Sequence, residues 1–117
     1  MMTERKKRII DSLRTAVEYC GYDWGVVMDK RSRGLVYCDL RAIVWSIYRD
    51  QTEQPFQRIA LDFGRDRVTI FSAVDRAKRF RKVDRNFADM YDSVYGAFLN
   101  AYAVEEEKDK EVKDEQV

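Results

Sequence analysis

Apolar residues along this chain recur at three- and four-residue spacing, the period of a helix packed on one face, and nowhere show a sustained strand-like alternation. Ile9, Ile10, Leu13, Ala16 and Val17 place such a stripe on Thr3–Tyr19, with Thr3 suited to the N-cap and Gly21 to the position just past the end. Asp23 starts a short second helix, Trp24–Met28. Asp29–Gly34 lacks an apolar period and carries three cations, which predicts an exposed basic loop. Asp39 is expected to cap a third helix with Leu40, Ile43, Val44, Ile47 and Tyr48 on one face. After a turn over Thr52–Gln54, Pro55 fits the first position of a short helix to Phe63, with Phe56, Ile59, Ala60 and Phe63 inward. Gly64 breaks it and Asp66 caps a long helix to about Lys82. Asp84 caps the last, Arg85–Val104, with Phe87, Met90, Tyr91, Val94, Tyr95, Phe98 and Leu99 inward. The expectation is an all-α fold of about six helices over residues 1–104, followed by a segment 105–117 with no apolar stripe.

Within that order, Pro55–Phe63 and Asp66–Lys82 have the outline of a helix-turn-helix: a short helix, a glycine turn and a longer basic helix. The longer helix divides into two faces. Ile70, Phe71, Val74 and Ala77 form the inward stripe, while Arg65, Thr69, Ser72, Arg76 and Arg79 follow a 4-3-4-3 spacing on the other side. That second face has no bulky apolar group, so it suits a groove. The amides of the helix N-terminus add donors for phosphates or base edges.

Composition narrows the chemistry. One proline and five glycines in 117 residues leave little punctuation, and the apolar fraction of 45% suffices for one core. No apolar run approaches the roughly 18 residues of a membrane span, and the cations Arg5–Arg8 precede no signal-peptide core. The absence of histidine removes Ser-His and Cys-His nucleophiles and imidazole acid–base chemistry. Cys20 and Cys38 are isolated thiols that suit a reducing cytoplasm and form no metal knuckle. With no carboxylate pair, glycine-rich loop or nucleophile–base set, the expectation is a cytoplasmic non-enzyme without metal, cofactor or small-molecule substrate. The net charge of +1 conceals an asymmetry, for residues 1–85 carry +7 and residues 86–117 carry −6. The acidic tail Glu105–Val117 is expected to be a frayed helix or disordered. It either solubilises the chain or competes for the basic face.

The segment Arg58–Ala73, which runs through Phe63, Gly64, Arg65 and Asp66, resembles the C-terminal DNA-binding domain (domain IV) of the bacterial chromosomal replication initiator DnaA. The likeness extends to the basic loop Lys30–Arg33, to Arg41–Thr52 and to Asp84–Phe87, covering about residues 15–100. It implies a Trp-repressor-like helix-turn-helix in which Asp66, Arg67, Val68 and Thr69 face bases or adjoining phosphates. Lys30, Arg31 and Arg33 would then reach a neighbouring minor groove. Arg41 leads the matched third helix, and Arg65, Arg76 and Arg79 of the 4-3-4-3 face are expected on phosphates, which completes the DNA-binding set. This sequence departs from the family where Arg67 replaces a histidine, Val68 a threonine or serine, and Asp39-Leu40 an Arg-Pro pair. One glycine of the turn is missing, and there is no phosphate-binding GxxxxGK segment for an ATPase.

Two functional expectations follow. The first is a stand-alone helix-turn-helix module that binds double-stranded DNA, is associated with the bacterial nucleoid and has no ATPase domain. The second is a protein-interaction or oligomerisation module, with a homodimer or another protein as partner, that kept the fold and lost base reading. Under the simplest structural alternatives Arg67 pairs with Asp66 or Asp62, Thr69 caps its own helix, and Arg76 and Arg79 are only solvated.

Overall fold

Helix α1 (Glu4–Tyr19) starts where Thr3 Oγ1 accepts the Lys6 amide at 3.2 Å, and it is followed by α2 (Trp24–Met28), capped by Asp23. The remaining helices are α3 (Leu35–Thr52), α4 (Phe56–Phe63), α5 (Arg67–Val83) and α6 (Arg85–Glu115). This computed structural model describes the backbone of residues 2–115 and the side chains of residues 2–108. Among the described residues there is no strand, so the all-α expectation holds. No helix among them is long and apolar enough to cross a membrane.

The core is organised around α3, in which Ala42 through Tyr48 are buried without interruption. A helix buried on all sides needs neighbours on all sides. Helices α1, α2, α4, α5 and α6 all pack against it. Ile9, Leu13, Ala16 and Val17 from α1, Val27 from α2, Ile59 and Ala60 from α4, Ile70 and Ala77 from α5, and Phe87, Tyr91, Val94 and Phe98 from α6 join the buried cluster.

Several boundaries and faces differ from expectation. Helix α3 begins at Leu35, not at Asp39: Val36 and Tyr37 pack against the core and extend the helix back by a turn, with Gly34 as a cap that offers no side chain. Asp39, now inside the helix, gives its carboxylate to Arg76 of α5 at 2.9 Å. Phe71 is not an inward residue, for it is 51% exposed and meets Phe56 edge-on at 5.2 Å at the margin of the core. Leu99 is likewise 45% exposed. Helix α6 continues past Val104 to Glu115, because Glu and Lys favour helix even where the apolar stripe has stopped. Residues 116 and 117 of the acidic tail lie outside the described residues.

One polar cluster ties three helices together. Asp62 of α4 accepts the Tyr48 hydroxyl of α3 at 2.7 Å and Gln54 Nε2 at 3.3 Å, and it pairs with Lys6 of α1 at 3.3 Å. Burial pushes the Asp62 carboxyl up, but the bonds from Tyr48, Gln54 and Lys6 outweigh it and hold the carboxyl below its ordinary value. Burial and the same bond raise the Tyr48 phenol. Removing the shared acceptor leaves the buried Tyr48 hydroxyl, Gln54 Nε2 and the Lys6 ammonium without their partner. Asp62→Ala is therefore expected to cost about 2–3 kcal/mol and Tyr48→Phe about 1 kcal/mol, measured by urea denaturation at pH 7. Because the folded carboxyl titrates low, its contribution is complete above the ordinary carboxylate pKa of about 3.9 and is lost as pH falls through the folded value. The difference between wild type and Asp62→Ala should shrink in acid.

Candidate nucleic-acid interface

The α4–α5 junction is closed by a single glycine. Gly64 adopts φ +62°, and the Arg65 amide returns to Ala60 O at 2.9 Å while the Gly64 amide reaches Leu61 O at 3.4 Å. Two residues later Asp66 Oδ1 accepts the Thr69 amide at 2.8 Å and starts α5. The bonds from Thr69 hold the Asp66 carboxyl below its usual range. Asp66 is thus a helix cap whose carboxylate is already engaged, and Thr69 supplies the capped amide.

Two arginines fix the basic loop against this junction. Arg41 of α3 donates to Val27 O at 2.8 Å, Ser32 O at 3.0 Å and Asp29 O at 3.4 Å. Arg65 donates to Met28 O. Their partners are neutral carbonyls, so the loop is held in place without cancelling either charge. Burial and the nearby Arg41 lower the Arg65 pKa from a starting value so high that the guanidinium stays protonated. Within the loop, Asp29 accepts the Arg31 amide at 2.8 Å and its guanidinium at 3.0 and 3.1 Å, which holds the Asp29 carboxyl down at about 2. Lys30 and Arg33 are exposed and form no ion pair among the described residues.

Between the loop and α5 runs a groove. Lys30, Arg41, Gly64, Arg65, Asp66 and Thr69 line one part of about 540 Å³, with Trp45 as a wall. An adjoining part of about 350 Å³ shares Arg41, Trp45 and Thr69 and continues to Ser72, Arg76 and Arg79. Cys38 and Trp45 also line it, although their sequence context reads only as core; Trp45 is 2% exposed but shows one edge to the groove. Arg65 lies over its ring at 5.7 Å.

The other expected site residues are placed unequally. Arg76 is paired with Asp39, and Arg79 with Asp75 at 3.0 Å, so neither is merely solvated. Arg67 pairs with neither Asp66 nor Asp62 and is exposed at the first position of α5, before Val68, which is 70% exposed. Asp62 belongs to the cluster with Tyr48 and Lys6. Eight cations (Lys30, Arg31, Arg33, Arg41, Arg65, Arg67, Arg76 and Arg79) therefore meet four carboxylates (Asp29, Asp39, Asp66 and Asp75), which leaves the surface positive. The chain matches no known family profile, no curated protein and no solved structure.

The clamp has a local signature. Arg41→Ala removes the donors that hold two loop carbonyls and that of Val27 at the end of α2, and should speed amide hydrogen exchange across residues 29–34 by at least about tenfold, the loss of roughly 1.4 kcal/mol of local stability. Exchange in α6 should be unchanged, which separates loop release from global unfolding.

Proposed function

We propose that this chain contains a helix-turn-helix module that binds double-stranded DNA, with α5 laid in the major groove and the loop 29–34 reaching an adjacent minor groove. The observation that carries the proposal is the double clamp of Arg41 and Arg65. It joins loop and helix N-terminus into one surface while leaving both guanidinium charges uncompensated. Cations that touch phosphates displace condensed counterions, so such a surface gives salt-dependent, largely sequence-independent affinity. The resemblance of Arg58–Ala73 to the initiator domain agrees with this role. Sequence discrimination falls to the first turn of α5, where Arg67 has the reach for a guanine and Val68 suits a thymine methyl. Such a protein acts in the cytoplasm, on the bacterial nucleoid.

A second reading has its own support. Three ion pairs engage cations of this surface, and Val68 and Phe71 expose apolar area beside it. A protein partner or a second copy would use those features.

Titration of duplex DNA at several salt concentrations separates the two. The DNA reading expects log K to fall linearly with log salt, by about 0.9 per phosphate neutralised. Arg67→Ala should lose about 1–3 kcal/mol on the preferred site and less on random duplex. Undetectable binding at low salt overturns the proposal, and a sedimentation mass above that of the monomer would then support the second reading.

A further inference from the structure

A second cationic groove lies on the opposite flank of α5. It has a volume of about 540 Å³ and runs between Arg49 and Asp50 of α3 and Lys78, Arg81 and Lys82 of α5, with Ser46 and Val74 as its floor. None of its four cations forms an ion pair among the described residues, and Asp50 shares the groove without reaching them. Two are preset by aromatic rings: the Arg49 guanidinium lies over Phe56 at 4.1 Å and that of Arg81 over Tyr91 at 3.8 Å. On the first flank Arg31, Arg76 and Arg79 are all paired with carboxylates. Unpaired cations therefore stand on both sides of α5, including the side that the 4-3-4-3 spacing does not mark.

The two flanks follow from helical geometry. Val74, Lys78 and Arg81 sit at 4-3 spacing roughly half a turn away from the row Arg65, Thr69, Ser72 and Arg76. Between them stands a ridge with Val68 and Phe71 exposed and Asp75 partly so. A helix with its side chains is about 10–12 Å across, and the major groove of B-DNA is about 12 Å wide. A helix lying in that groove therefore has one phosphodiester strand along each side.

Building on the proposed DNA reading, we infer that the Arg49–Lys78–Arg81–Lys82 groove binds phosphates of the strand on the far wall of the same major groove. The loop, Arg41 and Arg65 hold the near wall. The ligand class is the phosphodiester backbone, and the groove contributes affinity and orientation without reading sequence. It also sets the depth of α5, because a helix gripped on both flanks presents its ridge squarely to the base edges.

The test compares the full chain with Lys78→Gln/Arg81→Gln/Lys82→Gln. The double variant Lys78→Gln/Lys82→Gln, which keeps the Arg81–Tyr91 stack, serves as the version safe for folding, and circular dichroism melts confirm both. Duplex titrations across salt are combined with phosphate-ethylation interference on each strand. The inference expects the magnitude of the salt slope to fall by about 0.9 for each phosphate no longer neutralised, so about 2–3 for the triple variant. Affinity at low salt should fall at least tenfold with site preference unchanged, and interference should disappear from one strand only. An unchanged slope and unchanged interference, while wild type still binds, overturn this inference and leave the DNA reading standing. A variant that alters self-association but not the slope also overturns it, and gives the groove to the acidic segment of a second copy. Failure of wild type to bind any duplex removes both.

Discussion

Helix α3 is buried on every side from Ala42 to Tyr48, and that constraint arranges the rest of the molecule. Seven consecutive apolar or small residues in a helix cannot be satisfied by one neighbour, so five other helices must close around it. Because α5 crosses α3, the polar ends of α3 emerge on either side of it: Asp39 and Arg41 toward the loop, Arg49 and Asp50 toward the far flank. The placement of cations on both sides of α5 is thus a by-product of how the core is covered. Local hydrogen bonds then refine it, with Gly64 setting the turn, Asp66 starting the helix and Arg41 and Arg65 anchoring the loop.

The charge pattern of the site follows from which partners each cation finds. Arg41 and Arg65 donate to backbone carbonyls, which order the side chains and leave their charge available to a polyanion. Arg31, Arg76 and Arg79 instead meet carboxylates, and their pairs lower the local field. An exposed pair such as Arg79–Asp75 contributes little stability and opens readily, whereas Arg76–Asp39 is half-buried and holds α5 to α3. Arg76 therefore has a structural role alongside any part it takes in binding phosphate.

Much of this fold was legible in the amino-acid order. The starts of α1, α2, α5 and α6 carry cap residues (Thr3, Asp23, Asp66, Asp84) directly before an apolar stripe, and all four accept the expected amide. The start of α3 was not, because Asp39 has the chemistry of a cap while the true cap, Gly34, has no side chain to recognise. Phe71 lies on the apolar side by spacing, yet tertiary packing gives it only an edge contact with Phe56 of α4 and leaves half of it exposed. The site was legible as a basic loop and a basic helix, but the pairing of Arg76 with Asp39 joins residues 37 positions apart and leaves no local trace. The second groove was hidden for the same reason. Arg49 and Lys78 belong to different helices, and only the crossing of α3 and α5 brings them together.

The decisive experiment is a titration of isotope-labelled protein with a DNA duplex, followed through the backbone amide resonances. If the loop 29–34 and the first turns of α5 meet DNA as one surface, amides of residues 29–34 and 65–72 shift together, at the same DNA concentration, while those of α1 stay in place. Shifts confined to α6, or none at low salt, would contradict a joint DNA-binding surface.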